Sequence, residues 1–206
     1  MKRIPTFRVV VLFVLLILCG APLLPAQETI VAIRHGEKPQ AGLGQLDCRG
    51  LNRALALPRV LISRFGRPDA IYAPDPADVD RGPGGHIYSY VRPLMTIEPT
   101  AIALGMPVNA QIGFKDIDEL QAALTARKYS HAMIFVAWEH KMLNRFARRM
   151  LRSYGKNPDA VPVWPGNNYD RIYVFHIRKV DGKPVLSFHV TSEGLNGELS
   201  NACPGY

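Results

Sequence analysis

A histidine that leaves an apolar run directly beside an arginine is equipped for phosphoryl chemistry. In this chain of 206 residues the pair is Arg34-His35, followed by Gly36 and Glu37. A neutral imidazole can attack phosphorus when a hydrogen bond holds one ring nitrogen and the other is free. The phosphoryl oxygens carry charge throughout, so the remaining work is positioning and cationic grip. Arginine suits that work because its planar fork binds two oxygens at once. A second histidine, His140, follows Trp138-Glu139 at the end of another apolar run.

The elements that would hold these residues can be read from pattern. Thr29 to Ile33 reads as a buried strand ending at Arg34-His35, and Ala132 to Ala137 as a second one ending at Trp138-Glu139-His140. Ligands of α/β sheets bind beyond the carboxyl ends of the strands, so the shared placement of the two histidines is informative. Helical periodicity covers Gly50 to Phe65, with Leu51, Leu55, Ile62 and Phe65 on one stripe and Pro58 as an expected kink. Further helices are expected over Val91 to Leu104, Asp116 to Arg127 and Lys141 to Tyr154. In the last of these Leu143, Phe146 and Met150 face inward, and Arg145, Arg148, Arg149 and Arg152 outward. Ala70 to Tyr72 is a short strand signal, and Pro74 to Gly85 reads as a loop. Arg171 to Val180 and Pro184 to Val190 flank Asp181-Gly182, a hairpin signal. The alternation predicts an α/β fold with a mostly parallel sheet and an antiparallel hairpin at its C-terminal end.

Hydrophobic residues make up 48% of the chain, which excludes a disordered or fibrous class. Residues 1–26 read as a signal peptide: Lys2, Arg3 and Arg8 precede the apolar run Val9 to Leu18, and Ala26 suits a cleavage site. The alternative is an uncleaved membrane anchor, since Val9 to Ala26 carries no charge over 18 residues. Residues 27–206 would then form the folded domain, exported to the periplasm or beyond the cell. Loss of the segment lowers the net charge from +8 to +5, an excess that still invites anionic partners. It also leaves Cys48 and Cys203, which either pair in an oxidising compartment or remain free thiols. No glycine-rich nucleotide loop and no zinc-ligand spacing occur. No metal, cofactor or nucleic-acid partner is therefore expected.

Arg34-His35-Gly36-Glu37 after a buried strand resembles the signature of the histidine phosphatase superfamily, the phosphoglycerate-mutase-like proteins. Gly50-Leu51-Asn52-Arg53-Ala54 resembles the family's helix start. Arg92-Pro93-Leu94-Met95-Thr96 resembles the segment bearing the second pocket arginine, with Met95 in place of the commoner glutamine. Trp138-Glu139-His140 resembles the strand end bearing the second histidine, and Tyr169 to Tyr173 the start of a late strand. The resemblance spans about Thr29 to Val190. It implies a three-layer α/β/α fold with His35 as nucleophile and His140 as stabiliser of transition-state charge. Arg34 and Arg92, with Arg53 as a further candidate, would bind the phosphoryl oxygens.

The chain departs from the family pattern at the proton donor. The usual glutamate beyond the second arginine has no clear counterpart, and Lys141 stands where some members carry an aspartate. The candidates left are Glu139, by proximity to His140, and Asp75 or Asp78 in the loop after the second strand. Glu37 reads equally as a structural carboxylate. The expected function is an exported phosphatase acting on monoesters of a phosphorylated small molecule or of the cell envelope, through a phosphohistidine. The alternatives are a phosphomutase of the same family and a catalytically weak phosphoanion-binding protein.

Overall fold

The computed structural model describes residues 27–42 and 44–205, so the expected signal peptide lies outside the described residues. In chain order the described elements are β1 (Gln27–Arg34), α1 (Cys48–Phe65), β2 (Ala70–Pro74), β3 (Val79–Arg81), β4 (Ile87–Ser89), α2 (Arg92–Leu104), β5 (Asn109–Ile112), α3 (Ile117–Leu124), β6 (Met133–Trp138), α4 (His140–Ser153), β7 (Arg171–Val180) and β8 (Lys183–Ser192). The order across the main sheet is β5-β2-β6-β1-β7-β8. Neighbours run parallel from β5 to β1, and β7 and β8 add the antiparallel hairpin. Asp181 and Gly182 make its two-residue turn at φ 50 and 76, the backbone that such tight hairpins require.

Burial explains why β1 reads as an unbroken apolar run. Every residue after Gln27 is buried, because the strand has neighbours on both edges and helices on both faces. Ile30 and Ala32 join the core beneath α3 and α4, whereas Val31 and Ile33 join the core beneath α1 and α2. Each large aliphatic side chain buried there contributes about 1.5–3 kcal/mol. The result is the expected three-layer α/β/α arrangement.

Two local expectations are corrected. The buried stripe of α1 is Gly50, Arg53, Ala54, Leu57, Val60 and Leu61, while Leu55 is 51% exposed. Periodicity placed the stripe one position off because it treats an arginine as an outward residue. The segment Pro74 to Gly85 contains β3, which pairs with β4 just beyond it as a separate two-stranded ribbon. The helix α1 continues through Pro58 to Phe65.

Cys48 and Cys203 are bonded, with Cα atoms 4.5 Å apart. The bond ties the C-terminal tail to the start of α1, where Asp47 caps the helix by accepting from the Gly50 amide at 2.7 Å. Arg49 donates to the Leu199 carbonyl at 2.9 Å, and Asn52 to those of Ser200 and Ala202 at 2.9 and 2.8 Å. The sequence separation of 155 makes the entropic effect large, about 2–5 kcal/mol. Replacing both cysteines by serine is expected to lower the urea midpoint accordingly. An unchanged midpoint would show that the tail hydrogen bonds suffice alone.

Candidate active site

β1 and β6 are adjacent and parallel, with Arg34 opposite Trp138. Their carboxyl ends therefore deliver Arg34-His35 and Glu139-His140 to one place. Arg92 and His140 are the first residues of α2 and α4, so two helix N-termini, favourable to anions, join the same rim. The site is a cavity of about 350 Å³ whose walls include Arg34, His35, Asp80, Arg92, Glu139 and His140. A larger hollow of about 540 Å³, around Gln121, Tyr154 and Pro184, has no histidine or arginine in its wall. The paired histidines and arginines border the smaller cavity.

The His35 ring is fixed and neutral. Its Nδ1 lies 2.7 Å from the Gly36 carbonyl, a distance that assigns the ring proton to Nδ1 and leaves Nε2 with a free lone pair. Burial pushes its pKa well below the ordinary value, and the Arg34 charge reinforces this. The Gly36 bond opposes the shift, while Arg92 and His140 add to it. The backbone is pinned by the bond from the His35 amide to the Trp138 carbonyl at 3.0 Å and by the Gly36 amide on Thr96 Oγ1 at 2.9 Å. A Cβ at Gly36 would stand 2.9 Å from the Gly50 carbonyl oxygen, and one at Gly50 only 2.3 Å from that of Glu37. The paired glycines thus let α1 press directly against the loop that follows His35.

Arg34 is 2% exposed. Its Nη1 donates to the Gly166 and Asn168 carbonyls at 2.8 and 3.0 Å, and its guanidinium lies 3.9 Å over the Tyr169 ring. Its Nε is buried with no protein partner, so one charged donor remains for a ligand. Arg92 sits 4.6 Å over the Tyr90 ring, and Tyr90 meets His35 edge-on at 6.1 Å. Burial pushes the Tyr90 phenol up, so it stays protonated.

Glu139 does not fit the donor role expected from proximity. Its Oε2 caps α4 by accepting from the Met142 amide at 2.9 Å, and its Oε1 lies 2.6 Å from His140 Nδ1. That second contact is too bent to be a straight hydrogen bond, but it makes an ion pair whenever the ring is protonated. Burial alone would raise the Glu139 pKa; His140 and the Met142 and Lys141 amides outweigh it and hold the carboxyl below its usual range. Glu139 is therefore an ionised group that orients His140.

Asp75 lies outside the cavity wall, where its Oδ1 accepts from the Ala77 amide at 2.8 Å. Asp78 accepts from the Phe114 amide at 2.8 Å. The carboxylate that reaches the cavity from this segment is Asp80 on β3, which sequence reasoning passed over. Nothing in a run dense with proline, glycine and aspartate distinguishes one aspartate from another before the ribbon is seen. Lys38, Lys115 and Lys141 also border the cavity. They add cationic charge to a mouth that only two carboxylates offset.

Arg53 is not in the phosphate pocket. It is fully buried, and each guanidinium nitrogen is engaged. Nε and Nη2 clasp Glu37 at 2.9 and 2.7 Å, Nη2 also reaches Asn196 at 2.8 Å, and Nη1 reaches Asp170 at 3.3 Å and Glu193. Arg49 joins at 3.3 Å from Glu37. Glu37 is thus a structural carboxylate directly behind His35. On the outward face of α4, Arg148 pairs with Asp159 at 2.8 Å and Arg149 with Asp118 at 2.9 Å.

This architecture, with a histidine at the end of the central parallel strand and a second one beside it, is the histidine phosphatase fold. No protein-family model and no curated protein sequence matches the chain. The similarity is carried by solved structures. A candidate phosphohistidine phosphatase, SixA from Nakamurella multipartitia, aligns at TM-score 0.55 and 16% identity, covering 81% of this chain and 97% of its own. A mycobacterial glucosyl-3-phosphoglycerate phosphatase aligns at TM-score 0.52 and 12% identity, with coverage of 80% and 98%. A phosphoserine phosphatase variant from Entamoeba histolytica, in complex with phosphoserine, aligns at TM-score 0.50 and 14% identity, with coverage of 81% and 98%.

Proposed function

We propose that the protein is an exported phosphatase that hydrolyses phosphate monoesters through a phosphohistidine on His35. The observation that carries this reading is the His35 ring itself: Nδ1 is held by a carbonyl, and burial keeps Nε2 unprotonated. Nε2 attacks phosphorus, Arg34 and Arg92 grip the phosphoryl oxygens, and His140 at the N-terminus of α4 adds positive charge as the transition state forms. Water then releases phosphate from His35. The phosphatases among the structural neighbours support the reaction class. Export is supported by the leader-like sequence of residues 1–26 and by the Cys48–Cys203 bond, which suits an oxidising compartment. The substrate would be a phosphorylated small molecule or a cell-envelope phosphate, drawn by the cationic mouth.

The intermediate provides the test. Alkaline quenching during turnover of p-nitrophenyl phosphate is expected to leave a phosphoryl group on the peptide containing His35, detectable by mass spectrometry. Turnover with no label on that peptide, or with label on another residue, would overturn the reading.

A further inference from the structure

The geometry points to Asp80 as the acid that protonates the leaving group, carried on the β3–β4 ribbon. This assignment rests on the phosphatase reading above. Attack by a neutral imidazole expels an alkoxide unless a proton arrives with bond cleavage. Of the two carboxylates in the cavity wall, Glu139 is occupied with His140 and held ionised. Asp80 is half-buried and has no cationic side chain bonded to it among the described contacts. Its Oδ1 accepts from the Arg81 amide at 2.9 Å, which fixes one oxygen on the ribbon.

The other oxygen is linked to the phosphate grip. Asp80 and Tyr88 are opposite each other in the ribbon, so their side chains share a face. The Tyr88 hydroxyl donates to Asp80 Oδ2 over 3.5 Å and accepts from Arg92 Nη2 over 3.4 Å. Both contacts are long, as catalytic contacts often are before substrate binds. Arg92 also lies 5.2 Å over the Tyr88 ring. The chain Arg92–Tyr88–Asp80 ties the carboxyl to the arginine that holds the phosphoryl group, placing an acid on its outer side.

The step balances as follows. The Nε2 lone pair of His35 forms the N–P bond, and the P–O ester bond breaks with its electrons on oxygen. That oxygen takes the carboxyl proton of Asp80 and departs as the alcohol. In the second half, water gives a proton to the Asp80 carboxylate as its oxygen bonds to phosphorus. The P–N bond electrons return to Nε2, and phosphate leaves.

Leaving-group acidity separates this role from a structural one. Phenyl phosphate and glycerol phosphate need a proton donor, whereas p-nitrophenolate leaves without one. Asp80→Asn is expected to lower kcat/KM, which reads only the steps up to cleavage of the ester bond, on phenyl and glycerol phosphates by about 10²–10⁴-fold. Its loss on p-nitrophenyl phosphate should stay below about tenfold, the part not owed to proton transfer. Asp75→Asn, outside the cavity, should leave all three rates unchanged. Equal losses of the Asp80 variant on the phenyl and p-nitrophenyl esters, or no loss on glycerol phosphate, would overturn the assignment. Absence of turnover by the unaltered protein on every ester would instead remove the phosphatase reading, and the assignment with it.

Discussion

His35→Ala protein will release phosphate from p-nitrophenyl phosphate at least about 10⁴-fold more slowly than the unaltered protein, the order seen when a covalent nucleophile is lost. It should nevertheless fold and still bind inorganic phosphate. Arg34 is anchored by two backbone carbonyls and the Tyr169 ring rather than by the imidazole, and its buried Nε remains free to donate. The loop keeps the His35 amide bond to Trp138 and the Gly36 bond to Thr96, neither of which uses the ring. Binding and turnover should therefore separate cleanly in this variant. Steady-state release and phosphate titration by calorimetry read the two quantities. Turnover within about tenfold of the original would mean that another group attacks phosphorus.

The largest stability effect is expected at Arg53. Arg53→Met preserves much of the volume but strands the carboxylates around it. Burial pushes the Glu193 carboxyl up to about 8, against the attraction of Arg53. Burial also works against an ionised Glu37, but the Arg53 fork and the Arg49 charge outweigh it and hold Glu37 below its usual range. Without the fork, Glu37 is a buried charge with only the partly exposed Arg49 at 3.3 Å. Breaking a buried pair in this way costs about 3–5 kcal/mol. At roughly 2–4 °C per kcal/mol for a chain of this size, the melting temperature should fall by about 6–20 °C. Arg53→Lys should recover little, because a point charge cannot serve Glu37, Asp170, Glu193 and Asn196 together. A fall of less than about 1 kcal/mol in the methionine variant would show that the cluster is dispensable.

Arg53 also shows where sequence reading reached its limit. His35 stood out because β1 is buried on both faces and says so in its composition. His140 stood out for the same reason at the end of β6, and Arg92 through the resemblance of Arg92 to Thr96 to a family segment. Arg53 was legible as a cation but not as a buried one. Its partners Asp170, Glu193 and Asn196 lie on distant segments, and no local pattern announces their convergence. Asp80 was hidden differently: its ribbon strands have three residues each, too few for alternation to reveal which face meets the cavity. Glu139 was singled out by adjacency to His140, which signifies orientation as readily as proton transfer.

The tail latch and the Arg53 cluster bear on the order in which this molecule can be made. Arg34, His35, Glu37, Cys48 and Arg53 belong to the early part of the polypeptide. Their counterparts are Gly166, Asn168, Asp170, Glu193, Asn196 and Cys203. A nascent chain that stops short of Gly166 therefore carries His35 without the carbonyls that hold Arg34 or the carboxylates of Asp170 and Glu193 that hold Arg53. These contacts therefore form only once both segments have been made, late rather than early in synthesis.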